Sequence, residues 1–187
     1  MPYSDYVKAS KIGKKDYQSK VLKGQLPTLE VLDDILHSTR DYHEVSLGLV
    51  NIPLDQIVGT KTSGRSNSFS SNFMPILDVH TEFASKWIAL SKYQEEEGIA
   101  DPIIAYEYMN KFYVLEGNKR VSVLKYYGAA SIMGTVTRII PKLTDDINVR
   151  IYYEFMDFYA LSEINYINFT QLGSYQKLQS TVGKEPD

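Results

Sequence analysis

The sequence contains no cysteine. That excludes a disulfide framework, a cysteine nucleophile and thiolate zinc sites. Its three histidines, His37, His43 and His80, show no metal-ligand spacing and read as surface or loop residues, with no metal site expected. No apolar run approaches the ~20 residues that a membrane span needs, so no membrane partner is expected. The first fifteen residues show neither the apolar core nor the small-residue cleavage site of a signal peptide, and the cytoplasm is the expected compartment. No Gly-x-Ser-x-Gly elbow is present, which leaves a hydrolase triad without support. Charge of one sign is not in excess: 20 Lys and Arg face 23 Asp and Glu, for a net of −3. A polycation that coats nucleic acid by charge alone is thereby excluded, although a local basic patch is not.

What remains is an ordinary globular balance, 43% apolar and 23% charged. A chain of 187 residues can bury about 70% of its unfolded surface and needs no metal or disulfide to hold a core. Fifteen tyrosines suit a half-buried, sheet-rich core and its rim.

Three stretches are distinguished. Residues 1–46 form an N-terminal helical extension. Ser4 can cap a first helix, stopped by Gly24 and Pro27, and Thr28 a second, Leu29 to His37, so a helical hairpin is predicted. Residues 8–23 carry six lysines against Asp16, a local +5 that leaves −8 elsewhere. This run is either a solvated face or a contact for DNA phosphates. Residues 47–141 form the core domain. It holds a strand at 47–58, a long loop from Gly59 to Asn72, a helix from Phe83 to Glu97, a hairpin at 102–115, a helix at 121–127 and a strand at 131–140. Residues 142–187 are an aromatic-rich C-terminal extension, with a strand near 149–155 and a helix at Ser174–Val182. Its end, Gly183–Asp187, resembles the start of a linker, as expected of a fragment of a longer protein. The fold class predicted is α/β (α+β), with a small mixed sheet of four or five strands and packed helices.

The strongest local signal is Glu116-Gly117-Asn118-Lys119-Arg120, between an aromatic strand and a helix. A glycine at a strand end lets the backbone turn tightly and approach a ligand. The residues after it sit at a helix N-terminus, where free N–H groups and the helix dipole attract anions. Lys119 and Arg120 add two cations there. The alternative is a plain strand-to-helix turn with solvated cations. Gly59 to Ser66 spells G-x-x-x-x-G-R-S, close to a Walker A loop. Arg65 replaces the required lysine and no good helix follows, so a P-loop is not expected. The same segment, with Ser63, Arg65 and Ser66, is expected to close as a lid over a nucleotide held at 117–120, the alternative being a purely structural loop.

The order of elements carries a resemblance. Ile52-Pro53-Leu54, Arg65, Leu90, Gly98, Pro102-Ile103, Tyr113-Val114, Gly117-Asn118-Lys119-Arg120, Gly128 and Val136 fall in sequence over about half the chain. This pattern resembles the ParB/sulfiredoxin superfamily, the ParB-like N-terminal nucleotide-binding domain. The resemblance implies a small α/β fold preceded here by the helical hairpin, with nucleotide phosphates held by Gly117, Asn118, Lys119 and Arg120 and approached by Arg65. It implies ATP or CTP as ligand, with Mg²⁺ left open. Sulfiredoxins place their reactive cysteine where Asn118 stands, so that chemistry is excluded. The role expected is a nucleotide-dependent switch or regulatory module, of the kind found in DNA-associated bacterial transcriptional regulators. The tail shows no second helix for DNA reading. Two other classes stay open. One is a phosphotransferase or nuclease-like enzyme in which Glu116 would be catalytic. The other is a ligand-free interaction domain with a protein partner or a homodimer.

Overall fold

The computed structural model describes residues 2–38 and 41–182; the linker-like Gly183–Asp187 lies outside them. The chain opens on helix α1, Pro2–Leu22. Proline suits a first helical turn, where its missing N–H has no partner to lose. Gly24 ends the helix in the left-handed region (φ 65°), with Gln25 N–H reaching back to Lys20 O at 2.9 Å.

The predicted second arm of a helical hairpin does not form. Glu30–Val31 is instead a two-residue strand, β1, and only Leu32–Leu36 is helical (α2). The cause is local and tertiary together. Leu26 precedes a proline and is pushed towards extended backbone. Thr28 then bridges Ser70, and Glu30 and Val31 pair with Gly59 and Thr60. Leu29, Leu32, Ile35 and Leu36 have the spacing of one helix face; Leu29, Leu32 and Leu36 are buried from extended and helical backbone in turn, while Ile35 is exposed.

Strand β2, Tyr42–Pro53, leads through a single 3₁₀ turn to β3, Ile57–Thr60. Helix α3 spans Glu82–Glu96, with the Thr81 hydroxyl accepting from Ala84 N–H as N-cap. Strands β4, Ile103–Tyr108, and β5, Lys111–Glu116, form the predicted antiparallel hairpin. Helix α4 is Asn118–Tyr126 and strand β6 is Ser131–Pro141. Six strands, one or two more than expected, make one mixed sheet in the order β1-β3-β5-β4-β6-β2.

The main core lies on one face of this sheet. Ile52, Ile103, Ala105, Val114 and Val136 point there, under Tyr6 and Ala9 of α1, Trp87 of α3, and Val121 and Leu124 of α4. Trp87 is fully buried among them, and its indole N–H donates to Ser122 Oγ at 2.8 Å. On the opposite face Leu32 and Leu36 of α2 cover Tyr113 and Ile139.

The strand expected near 149–155 is a helix, α5, Ile147–Ser162. Asp146 caps it by accepting from Asn148 N–H at 2.7 Å. Ile151, Tyr152, Phe155 and Phe158 form its buried stripe, with Tyr175 of the predicted helix α6, Ser174–Val182. Many of the aromatics assigned to a sheet therefore pack helix on helix. Helix α5 is tied to the sheet by a buried ion pair. Glu107 Oε2 accepts from Arg138 Nε at 2.6 Å and from Tyr152 Oη at 2.7 Å, while Oε1 accepts from Asn110 N–H at 2.7 Å. Arg138 lies over the rings of Phe155 and Tyr159.

Lys125 of α4 gives this fold a measurable pH signature. Its ammonium donates to Ile57 O at 2.9 Å beneath the Phe73 ring, and burial lowers its pKa to about 8, against a weaker opposing pull from Asp55. Between about pH 8 and its ordinary value of 10.5 the unfolded chain binds the proton that the folded chain has released. Stability therefore rises with pH across that window. Tyrosines such as Tyr6, raised to about 12 chiefly by burial, act in the opposite sense above pH 10. The thermal midpoint is expected to climb from pH 8 to about 10. Lys125→Met should remove most of the climb, Lys119 adding a smaller part in the same sense; an unchanged slope in that variant would refute the assignment.

Candidate functional site

Strand β5 ends at Glu116, and the chain must reverse within one residue to start α4. Gly117 does this at φ 108°. A Cβ at this position would lie 2.5 Å from Ile103 Cγ2, so glycine is required by space as well as by conformation. The first amide of α4 to find a carbonyl is that of Val121, which donates to Gly117 O at 3.0 Å. The N–H groups of Asn118, Lys119 and Arg120 have no partner among the described residues, and no side chain caps the helix. Such an end carries partial positive charge.

A cleft of about 570 Å³ opens directly over this turn. Glu116, Gly117, Asn118, Lys119 and Arg120 all line it, and so does Arg65, from a 3₁₀ segment at Ser63–Ser68. The sequence placed these six in one site, and the fold brings them to one cleft. Ser63 and Ser66 do not line it. The Ser66 hydroxyl is buried and donates to Ser63 O at 2.9 Å, which holds the 3₁₀ turn that presents Arg65. The stretch from Gly59 to Asn72 is thus not a long open loop. Gly59 and Thr60 end β3, and Phe69 is fully buried against Phe73 and Phe83. Its exposed residues are Thr62 to Arg65 and Asn67.

The cations are held in different ways. Arg120 donates through Nη1 to the carbonyls of Asp101 (3.0 Å) and Pro102 (2.7 Å), which fastens the start of α4 to the entry of β4. Its remaining guanidinium nitrogens have no protein partner among the described residues. Lys119 lies 5.0 Å from the centre of the Phe83 ring. Burial, and then the neighbouring charges of Arg65 and Lys86, hold its pKa below the usual lysine value. Lys119 does not pair with Glu116, which is exposed at the cleft edge.

Sequence reasoning missed Lys86 and the apolar wall of Phe83, Ala89 and Leu90, all from α3. Lys86 pairs with Glu82 one turn earlier at 2.6 Å, and this bond holds the Glu82 carboxyl below its usual range. The available signal was spacing: Lys86 and Leu90 flank the buried Phe83 and Trp87. Only the packing of α3 on α4 shows that this edge faces the turn.

Asn118 is nine-tenths buried, with its carboxamide N–H₂ 3.5 Å from Thr60 Oγ1. The Thr60 hydroxyl proton is already committed to Val114 O at 3.0 Å. The Asn118 Oδ1 consequently has no hydrogen-bond partner among the described residues. Among the described residues no group of three His, Asp or Glu side chains is placed to hold a metal ion. The three histidines are exposed, as expected.

No family model and no curated protein matches the chain. Among solved structures, the sulfiredoxin from Arabidopsis thaliana aligns with 47% of this chain and 82% of its own, at 17% identity and a TM-score of 0.33. That similarity assigns no role to any residue here.

An acceptor left without a partner in a buried place costs about 1–3 kcal/mol. Asn118→Leu, close in shape and without the orphaned oxygen, is therefore expected to raise the thermal midpoint of the ligand-free protein by a few degrees. Differential scanning calorimetry checks this. A lower midpoint would mean that the oxygen is satisfied in solution, by water for example.

Proposed function

We propose that the cleft binds a nucleotide through its phosphates and that the chain works as a nucleotide-dependent switch or regulatory module. One observation carries this: three unpartnered N–H groups of a helix first turn open into a cleft ringed by Arg65, Lys86, Lys119 and Arg120. Four cations around free amides match the charge and the acceptor-only character of a polyphosphate. The cleft volume falls in the range of small-ligand sites, and Ala89, Leu90 and Leu115 offer an apolar wall on which a base can rest. ATP and CTP are the ligands to test first. A magnesium ion would travel with the phosphates, and Glu116 is the carboxylate lining the cleft that can reach it.

A second reading, a phosphotransferase or nuclease-like enzyme, rests on that same Glu116. Its carboxylate stands in the cleft lining without an ion-pair partner among the described residues. With bound nucleotide it could orient a hydroxyl or a water. Glu116→Gln would then abolish turnover while leaving affinity in place.

Calorimetric titration with ATP, CTP, ADP and AMP, each with and without Mg²⁺, tests the first reading. Micromolar binding is expected, stronger for triphosphates than for AMP. Lys119→Ala and Arg65→Ala should each weaken it by about tenfold, the effect of one charge-assisted contact. Both side chains are at least partly exposed, so these variants should fold; Arg120 is avoided because it fastens the backbone of Asp101 and Pro102. No heat with any nucleotide would overturn the nucleotide reading and leave an interaction domain.

A further inference from the structure

A second groove, of about 550 Å³, lies between α1 and the segment that leads into α3. It shares no residue with the cleft over Gly117. Its α1 wall is built from Val7, Lys11, Lys14, Lys15 and Gln18, spaced to fall along one helix face over roughly 16 Å. The floor is apolar, from half-buried Leu77 and Val79. A shallower pocket continues it past Lys14 and Gln18 to Tyr17 and Ile76.

The two walls are fixed to each other. Tyr6 Oη donates to Leu77 O at 2.9 Å, and at Gly13 the helix sits so close that a Cβ would come within 2.5 Å of Pro75 O. The groove is therefore a standing feature of the fold. Lys11, Lys14 and Lys15 are exposed and make no ion pair among the described residues, whereas Lys8 pairs with Asp5. The one acid in the lining, Asp78, accepts from His80 N–H. These three lysines belong to the +5 stretch of a chain that is otherwise −8. The three lysines over this apolar floor have no ion-pair partner among the described residues.

We propose that this groove docks an acidic segment of a partner protein, one carrying apolar side chains between its carboxylates. The charge of the rim fits carboxylates, and the floor fits aliphatic anchors. The length takes about five residues of extended chain, or three turns of helix. A nucleic-acid strand fits less well. The Tyr6 ring is fully buried, so among the residues lining the groove only Tyr17, at the far end, offers an aromatic ring for base stacking.

The test uses the whole chain and a fluorescent peptide of about twelve residues in which Leu alternates with Glu, followed by anisotropy. Three comparison probes accompany it: the peptide with Glu→Gln, the peptide with Leu→Ser, and a single-stranded DNA of equal length. Saturable binding of the first peptide is expected, weakening with salt. It should fall about tenfold or more when Lys11, Lys14 and Lys15 are all replaced by Glu. Both altered peptides should bind correspondingly less. Arg65→Ala, in the other cleft, should leave peptide binding unchanged. Absence of binding, equal binding of the Glu→Gln peptide, or tighter binding of the DNA with loss in the same triple variant would each overturn the proposal.

Discussion

At Gly117 the backbone passes over Ile103 with no room for a single extra carbon. That contact decides where α4 begins. Since β5 lies between β3 and β4, it also decides which neighbours meet the helix end. Beyond β3, the 3₁₀ segment delivers Arg65 from one side. The entry of β4 delivers the carbonyls that fasten Arg120 from the other. Helix α3, packed against α4 through Trp87 and Ser122, closes the remaining wall with Phe83 and Lys86. Each wall of the cleft is referred to one turn, so its geometry is set by sheet order rather than by flexible side chains.

The turn was legible because its chemistry is local: a strand of aromatic residues, a glycine, then two cations and a helical pattern. The grouping of Arg65 with it came from the polar segment that carries it and from the resemblance in element order; Arg65 lines the same cleft as the turn. What failed was failure of period. In residues 149–155 apolar side chains fall at both alternating and helical spacings. Length and the Asp146 cap, rather than periodicity, decide for a helix. The missing second arm of the hairpin has a different cause. Leu29, Leu32 and Leu36 satisfy a helix face, yet Glu30 and Val31 gain more from pairing with β3. The polar run at 59–72 read as open loop because Ser, Asn and Gly dominate it; the two phenylalanines that anchor it, Phe69 and Phe73, are core residues. Lys86 could not be assigned from sequence at all, since its place depends on how two helices pack.

Charge is distributed with more order than the net of −3 implies. Cations gather at two places, the cleft over Gly117 and the outer face of α1, each beside apolar surface. A cation near apolar surface is poorly hydrated, and its interaction with an anion is correspondingly less screened. The surface ion pairs, such as Lys92 with Glu96, are exposed and contribute little. The buried Glu107–Arg138 pair serves differently. Two strands and α5 converge on it, and losing either partner would strand a charge in the core. It fixes the C-terminal helices to the sheet at the end of β4, away from the turn into α4.

The cleft itself is in tension before any ligand arrives. Arg65, Lys86 and Lys119 are close enough to depress the Lys119 pKa, although burial is the larger cause. The exposed Glu82 offsets this in part. The first-turn amides of α4 and the Asn118 oxygen have no partner among the described residues, in the same small volume. Natural folds tolerate such a concentration of uncompensated groups where it is used, and rarely elsewhere. An anion entering here would satisfy the amides and screen the cations from one another at once. Its binding energy would then appear partly as added stability of the α4 end and of the 3₁₀ segment that carries Arg65. A ligand acting on those two elements together would order the surface around them. Under the proposed reading, occupancy of the turn would be felt in the segment that bears Arg65, because a ligand would remove the repulsion between the cations of the two.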